Sequence, residues 1–380
     1  MRGLGAPPRR TINVGSVPSS GVRPSPSHAR PKRALTKANA SAIVVGAGIN
    51  GLCTTLRLLE HGYDVKCVAE NVDGDPNRGV ASGGAGGLWF PYLCESTERT
   101  GRWANETRAV YEDMLASGIP FEESGVAVKD VWQCYAPGEP LPPWTGDCPS
   151  FELMSIGEVE KKYSPAGPQY LIDPEDFLAY KFQAPIVQVD LFLRYLRGKI
   201  AAMGGDLVQK RINDPIESLE ADLLVNCAGI GNATHYEGLE QDPLMKPVRG
   251  QIIHCKSRSE ITQAATIVAG DESAYVIPRG DVIVYGGTSD ADAWDLSVSE
   301  DAIQDIIRRC KKLLPEAYTA KMDIVGHWVG LRPFREELVS VERRTLGDGR
   351  VVVNNYGHGG SGFTLCFGCA DEVVRLASSG

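Results

Sequence analysis

The sequence lacks an apolar run near the roughly 20 residues that a membrane-spanning helix needs, which excludes an integral membrane protein built on such helices. It also lacks a basic excess, because 48 Asp and Glu outnumber 39 Lys and Arg for a net charge of −9, which argues against a nucleic-acid partner. The ten cysteines have no framework spacing, so we expect reduced thiols in an intracellular protein. No metal site is predicted. The 380 residues are enough for about two domains.

Acidic residues are absent from residues 1–40, which hold eight Arg and Lys and are rich in Ser and Pro. Without an apolar segment this is not a secretory signal, and the composition is typical of an organellar transit peptide. A disordered extension without an address is the alternative. The chain ends without a Ser-Lys-Leu type peroxisomal signal. We therefore expect an organellar protein, with a plastid favoured and a mitochondrion or peroxisome as alternatives.

The segment 41–70 carries a dinucleotide-binding pattern. The apolar run Ala42–Val45 predicts a buried strand, and a GxGxxG turn, a helix that ends near Gly62 and a second strand over Asp64–Ala69 follow it. In such a unit the first glycine makes the turn, the second admits a pyrophosphate and the third lets helix and strand pack closely. The helix N-terminus attracts phosphate, and an acidic residue after the second strand binds ribose. The residues in these roles are Gly46, Gly48, Gly51 and Glu70.

Three further segments bear on whether the nucleotide is FAD or NAD, which the first unit leaves open. Ala81–Gly87 is a small-residue loop that suits a backbone lying against a flat ligand. Leu223–Gly229 predicts another buried strand that ends in a small-residue turn, suited to closing over the nucleotide. Val351–Val353 predicts a strand that leads through a glycine-rich loop into a helix from Phe363. The dipole of that helix would stabilise negative charge on a reduced flavin.

Several motifs occur in the order seen in D-amino-acid oxidases, and the sequence resembles that family over essentially all of 41–377. They are GGLWFPY (86–92), VNCAGIG (225–231), VRGQII (248–253), AYVIP (274–278), YGGT with DAWD (285–295), VGLRPFR (329–335) and NNYGHGGSGFT (354–364). The resemblance implies an α/β fold in which a Rossmann-like FAD-binding domain is interleaved with a mixed-sheet substrate domain. We assign 41–95, 186–247 and 336–380 to the FAD-binding domain, and 96–185 and 248–335 to the substrate domain.

The fingerprint and the resemblance together predict FAD as the cofactor. Its predicted contacts are Gly46, Ala47, Gly48, Ile49, Asn50, Gly51, Glu70, Asn71, Ser82, Gly86, Gly87, Leu88, Ile212, Gly359, Gly360, Ser361, Gly362, Phe363 and Thr364.

The resemblance also assigns the substrate contacts. Arg332 would clamp the substrate carboxylate, and a guanidinium suits this role because it is always charged and binds a carboxylate bidentately. Tyr275 would donate to the same carboxylate, and the Gly360 carbonyl would face the amine. A structural ion pair is the alternative for Arg332 and is the expectation for Arg335. The implied reaction is hydride transfer from the α-carbon of a D-amino acid to flavin N5, which yields a 2-oxo acid, ammonia and, with dioxygen, hydrogen peroxide.

Two positions depart from the family pattern. Animal members carry a lid tyrosine where this chain has Asp271, and Phe90 replaces a glutamine of the mammalian members. The first predicts a more open pocket, and the second predicts an aromatic wall that favours bulkier apolar substrates.

The alternatives within and outside this class remain open. Arg279 would suit a D-aspartate oxidase, because it could bind a side-chain carboxylate. A catalytically silent flavin-binding protein and an NAD-linked dehydrogenase are the other readings. Partners beyond a small D-amino acid and dioxygen are not predicted, and assembly as a homodimer is left open.

Overall fold

The structure, a computed structural model, describes residues 40–72, 81–91, 97–135, 138–155, 157, 178–233, 241–268, 272–314 and 322–379. The predicted leader, apart from Ala40, and Asp271 lie outside these residues. Among the helices of this described part, none is both long and apolar enough to cross a membrane.

Six strands among the described residues form the first sheet. They are β1 (Ser41–Val45), β2 (Asp64–Ala69), β6 (Asp206–Gln209), β7 (Leu223–Asn226), β14 (Arg343–Thr345) and β15 (Val351–Asn354). Their order is β14-β15-β7-β1-β2-β6, and all pairs are parallel except β14 with β15. The inner strands β1 and β7 read as continuous apolar runs, because helices and loops bury both faces of a parallel sheet.

Nine strands among the described residues form the second sheet. They are β3 (Val126–Tyr135), β4 (Glu152–Met154), β5 (Leu178–Val187), β8 (Met245–Lys256), β9 (Ala264–Val268), β10 (Ala274–Arg279), β11 (Val282–Gly286), β12 (Asp290–Ala291) and β13 (Ile324–Arg335). Their order is β12-β8-β11-β10-β9-β3-β5-β4, with β13 also paired to β8, and the β3–β9 pair is parallel while the other pairs are antiparallel. The sheet is therefore mixed.

Helices pack on both sheets. The helices of the described residues are α1 (Ile49–Glu60), α2 (Glu98–Ala116), α3 (Phe121–Ser124), α4 (Val189–Ala202), α5 (Glu300–Cys310) and α6 (Gly362–Ser378). Helices α1, α4 and α6 contact strands of the first sheet, and α2 and α5 contact strands of the second. Helix α6 packs closely on α2, because a Cβ on Gly368 would overlap the backbone of Trp103, and the Gly368 amide donates to Thr107 Oγ1 at 3.0 Å. One apolar cluster joins α1, α2, α4 and α6 to both sheets.

The chain crosses between the two sheets several times, so neither sheet comes from one continuous segment. Strands β5 and β8 belong wholly to the second sheet, and each runs two or three residues past the predicted domain boundary at 185/186 or 247/248. The domain division itself stays a prediction, and these two boundaries would cut through strands.

Candidate functional site

Two clefts meet beside the N-terminus of α1. The strand-end cleft, of about 780 Å³, lies at the carboxyl ends of β1, β2 and β7, where parallel sheets bind ligands. The inner cavity, of about 180 Å³, is lined by β8, β10, β13 and the loop 81–88. Both are lined by Ile49, Asn50, Ala81, Ser82, Pro333 and His358. The shared wall makes one elongated site.

The turn into α1 is built by glycine at two positions. Gly46 has φ +105°, and a Cβ there would lie 2.8 Å from the carbonyl carbon of Cys227. A Cβ on Gly51 would overlap the carbonyl of Gly46. The first glycine thus supplies a left-handed conformation and the second supplies close packing. The N-cap residue of α1, Gly48, has no side chain to cap the helix, and the first amide, Ile49 N–H, donates to Ser82 Oγ at 3.0 Å instead.

The rim of the strand-end cleft carries the predicted ribose contact. Glu70 and Asn71 follow β2 and line the cleft together with Ile212. The Glu70 side chain keeps 49% of its exposure and lies 3.6 Å from the Arg211 guanidinium. The carboxylate is therefore placed at the mouth of the cleft and is accessible to a ligand.

Arg332 reaches the inner cavity from β13. Its Nη1 donates to the Thr288 carbonyl at 2.9 Å, and the residue is half-buried. Within the described part of the chain, no carboxylate lies within 4.0 Å of its guanidinium. The structure thus gives no support to a structural ion pair at Arg332, whereas Arg335 Nε pairs with Asp242 Oδ2 at 2.8 Å as predicted.

A glycine of the neighbouring strand, diagonal to Arg332, leaves room for the guanidinium. Gly330 of β13 pairs with Gly250 of β8, and Arg332 lies two residues farther along on the same face. A Cβ on Gly250 would lie 2.5 Å from Arg332 Cζ. Only glycine at position 250 leaves room for the guanidinium in a closely packed wall. We call such a glycine the seat of the side chain that lies against it.

Tyr275 is seated in the same way. It stands on β10 directly opposite Gly286 of β11. A Cβ on Gly286 would overlap the phenol ring, and one on Gly287 would lie 2.8 Å from the Tyr275 hydroxyl. The two glycines of the YGGT motif therefore make room for Tyr275.

The third predicted substrate contact, Gly360, also lines the inner cavity, together with Gly359, Gly362 and Phe363. These residues form the loop into α6 and its first turn. Arg332, Tyr275 and Gly360 thus come together around one cavity, although Tyr275 and Gly360 are 85 residues apart in the chain.

The remaining predicted cofactor contacts divide into two groups. Ala47, Gly48, Asn50, Ser82, Gly86, Gly87 and Leu88 line one or both clefts. Gly51, Ser361 and Thr364 line neither cleft, and their assignment as direct contacts stays a prediction. Gly51 is buried beneath Gly46, Ser361 is the buried N-cap residue of α6, and Thr364 exchanges hydrogen bonds of 3.0 Å with the Phe90 backbone.

The small-residue loop was predicted to lie against a flat ligand. Within it, Gly83 and Gly84 lie against the indole of Trp328, and Gly84 also lines the inner cavity. Gly86, Gly87 and Leu88 do line the inner cavity. The loop is therefore divided between a protein ring and the cavity.

Phe90 lies in the wall of the inner cavity, as the sequence predicts. Its ring contacts Trp144 edge-on, with 5.3 Å between centroids, and stacks near Phe182 at 6.5 Å. These neighbours hold the ring in place, so this wall is rigid and aromatic.

Arg279 does not line either cleft, which corrects its predicted role as a side-chain contact. It is 4% exposed, and its Nη1 donates to the Ala85 carbonyl at 2.6 Å while Nη2 lies 3.3 Å from His254 Nε2. Burial lowers the pKa of Arg279 to about 10. Its hydrogen bond holds the backbone of the loop 81–88, which lines the inner cavity.

Several buried polar atoms beside the clefts have no hydrogen-bond partner among the described residues. Asn50 Oδ1 and His358 Nε2 belong to residues of the shared wall, and Asn355 Oδ1 belongs to a residue of the strand-end cleft. Burial lowers the pKa of His358 to about 3, so the imidazole is neutral. Buried polar groups are normally paired, so orphaned ones here are what a missing polar ligand would leave. Together with the glycine turn, they fit an elongated dinucleotide.

Sequence reasoning missed the glycine seats and Trp328. Gly250, Gly286 and Gly287 were visible only as parts of motifs, since nothing local shows which side chain a strand glycine faces. A glycine inside a predicted strand is itself a signal of close approach. Lys210 and Trp294, which line the strand-end cleft, carry no comparable signal.

Comparison with known proteins agrees with this geometry. The family model described as FAD dependent oxidoreductase matches residues 41–376. The chain belongs to this family. Its match extends over both sheets and both clefts.

Individual relatives cover nearly the same span. A D-amino-acid oxidase of Streptomyces coelicolor is 32% identical over 347 residues, which is 88% of this chain and 96% of that protein. A D-amino-acid oxidase of Dictyostelium discoideum is 31% identical over 340 residues, 89% of this chain and 91% of that protein. The crystal structure of glycine oxidase from Geobacillus kaustophilus superimposes with a TM-score of 0.73 at 18% identity, over 90% of this chain and 95% of that one. That structure supports the fold alone.

Proposed function

We propose that this protein is an FAD-dependent oxidase of D-amino acids with neutral, apolar side chains. The observation that carries the proposal is the guanidinium of Arg332. It lies in the inner cavity without a carboxylate partner among the described residues, beside Tyr275 and Gly360. A half-buried cation without a counter-ion is a binding site for an anion, and a substrate carboxylate meets that need.

The joined clefts have the residues to hold FAD. The α1 N-terminus and the glycine turn at Gly46 would take the pyrophosphate, and Glu70 would take a ribose. The α6 N-terminus at Gly362 would face the flavin ring of FAD, which we call the ring section. When bound, FAD supplies a two-electron acceptor that dioxygen can reoxidise with formation of hydrogen peroxide.

The protein's own groups bind and orient the substrate. Arg332 has further N–H donors beyond the one that Thr288 occupies, and these can bind a carboxylate in the bidentate manner. The Tyr275 hydroxyl would donate to the same carboxylate, and the Gly360 carbonyl would accept from the amine. With the carboxylate and the amine fixed, the two enantiomers exchange the positions of the α-hydrogen and the side chain. Only one of them would then direct the hydrogen to the bound cofactor, so the site selects between enantiomers.

The cavity offers no strong base for removing an α-proton. Among the described residues that line it, the ionisable side chains are Tyr275, Arg332 and His358. His358 is neutral but is 2% exposed, and its low pKa makes it a poor proton acceptor. The α-hydrogen is therefore expected to leave with its electron pair, which requires orientation but no base.

The walls of the inner cavity favour an apolar substrate side chain. Phe90, Ile252 and Ile277 line it, and Arg332 is its only cation among the described lining residues. An acidic substrate would need a second cation, and the candidate for that role, Arg279, is buried elsewhere. Among the described lining residues, the D-aspartate oxidase alternative thus lacks a second cation for the side-chain carboxylate.

A peroxide-coupled screen of D- and L-amino acids tests the proposal. We expect turnover of D-phenylalanine and D-leucine, much slower turnover of D-aspartate, and none of the L-enantiomers. Purified protein that binds FAD but oxidises no D-amino acid would indicate the catalytically silent alternative. Protein that carries no flavin and reduces NAD would indicate a dehydrogenase.

We also propose that residues 1–40 direct the chain to an organelle, with a plastid favoured. The support is their composition, which combines eight basic residues with no acidic ones. Fused to a fluorescent protein, this segment should produce organellar fluorescence. A diffuse cytosolic signal would contradict the targeting role.

A further inference from the structure

Trp328 is an aromatic residue of the inner cavity that neither the family motifs nor the proposed reaction assigns. It stands on β13 four residues before Arg332, with Gly330 between them. Side chains alternate along a strand, so Trp328, Gly330 and Arg332 share one face, and all three line the cavity.

Three glycines hold the indole in place. A Cβ on Gly83 would lie 2.5 Å from Trp328 Cη2, one on Gly84 would overlap the pyrrole edge, and one on Gly330 would lie 3.0 Å from Nε1. A side chain larger than hydrogen at any of the three glycine positions would therefore collide with or crowd the indole ring. Its orientation is fixed by backbone on two sides.

The indole N–H is a donor without an acceptor. Trp328 Nε1 is buried and has no hydrogen-bond partner among the described residues. By contrast, the N–H of Trp89 donates to the Ala104 carbonyl at 2.8 Å. The N–H of Trp103 on α2 also lacks a partner among the described residues, but Trp103 lines neither cleft. Trp328 lines the inner cavity, and a buried indole N–H normally has a partner, so a ligand in the cavity can supply the acceptor.

The position of Trp328 along the loop 81–88 distinguishes cofactor from substrate. The loop begins at Ala81 and Ser82, which line both clefts, and Trp328 lies against the next two residues. Tyr275 lies farther along, where a Cβ on Gly86 would be 3.7 Å from its ring. Trp328 is thus on the side where the two clefts join, and Tyr275 is on the substrate side.

We propose that Trp328 is a cofactor-binding residue, with its indole as one wall of the ring section and its N–H donating to the bound cofactor. This inference rests on the proposed function, in which FAD occupies both clefts. It adds a contact that depends on this chain's own pairing of a tryptophan with Gly83 and Gly84.

The first test is FAD affinity, measured by titrating the apoprotein and following flavin fluorescence and the visible spectrum. Trp328→Phe keeps a ring but loses the donor, so we expect the Kd for FAD to rise about three- to tenfold. Trp328→Leu loses the ring as well, and its Kd should rise by more than about tenfold. Trp132→Phe is the control, since Trp132 is buried in the second sheet and lines neither cleft, and its Kd should stay at the wild-type value.

The second test reads the indole directly. In protein labelled with 5-fluorotryptophan, the ¹⁹F resonance of Trp328, assigned by its loss in Trp328→Phe, should shift when FAD binds, and that of Trp132 should not. An unmoved Trp328 resonance with a wild-type Kd in Trp328→Phe would overturn the inference while wild-type FAD binding leaves the proposed function intact. Wild-type protein that binds no FAD would overturn both.

Discussion

At the scale of single residues, the account depends on Arg332 as the carboxylate anchor. Replacing it with Leu removes a charge-assisted contact that also orients the α-hydrogen. We expect kcat/KM to fall at least about a hundredfold, or about 2.7 kcal/mol of transition-state stabilisation, while FAD stays bound. Steady-state kinetics and the visible spectrum measure the two effects.

Arg335→Leu is the matched control for this substitution. Arg335 lies three residues farther along β13 and pairs with Asp242 at 2.8 Å. Its loss should lower the stability and leave kcat/KM within about threefold of wild type, because the residue does not line the inner cavity. Near-wild-type efficiency in the yellow Arg332→Leu protein would contradict the anchor.

The glycine seat makes a second prediction at this scale. Gly250→Ala places a methyl group where the Arg332 guanidinium lies, so the side chain must move. We expect kcat/KM to fall about tenfold or more, mostly through KM, because the carboxylate contact is misplaced. Gly326→Ala on β13 is the control, since a Cβ there meets no atom within 4 Å. Equal kinetics in the two variants would show that glycine at position 250 is not needed to place the Arg332 guanidinium.

At the scale of elements, the unit formed by β1, the glycine turn after it and α1 shapes the part of the site that would hold the pyrophosphate. Gly46→Ala forces a side chain into φ +105° and against the carbonyl of Cys227. We expect the Kd for FAD to rise about tenfold or more, with lower stability, because both backbone strain and overlap oppose the native turn. Isothermal titration of the apoprotein measures this. An unchanged Kd would mean that the turn does not shape the cofactor site.

The same elements show what the sequence can and cannot reveal. Local patterns placed β2 at Asp64–Ala69, β15 at nearly its observed bounds and the start of β7 at Leu223, because buried parallel strands are short apolar runs. The last helix begins at Gly362, one residue before its predicted start. These signals are local, so one segment is enough to detect them.

Contacts between distant segments could not be predicted in this way. The seat of Tyr275 depends on the register of β10 against β11, and that of Arg332 on the register of β13 against β8. The seat of Trp328 depends on a loop more than two hundred residues away in the chain. The place of Arg279 could not be predicted for the same reason, because its sequence neighbourhood does not show that its guanidinium lies against the Ala85 carbonyl and His254.

At the scale of the whole molecule, burial of His358 makes stability depend on pH. Its pKa is lowered to about 3 by burial, against about 6.5 in the unfolded chain, so below about pH 6.5 the unfolded state takes up a proton that the folded state does not. Stability therefore falls as the pH drops through this range. Between about pH 7.5 and about pH 5 the loss from this residue is about 2 kcal/mol.

His358→Gln tests this dependence, because glutamine does not titrate. Urea unfolding with saturating FAD at both pH values should show a loss of stability on acidification that is about 2 kcal/mol smaller in the variant than in the wild type. The absolute stability of the variant does not affect this difference. Equal losses in the two proteins would mean that His358 is accessible to protons in the folded state.

The central claim is that one site joins a bound FAD to an enantiomer-selective carboxylate anchor, and anaerobic reduction tests both parts at once. The wild-type protein is mixed with D-phenylalanine or L-phenylalanine without oxygen, and the flavin absorbance is followed. We predict bleaching with the D-enantiomer, none with the L-enantiomer, and bleaching slowed at least about a hundredfold in Arg332→Leu. Flavin that stays oxidised with every D-amino acid, or that bleaches equally in wild type and variant, would contradict the account.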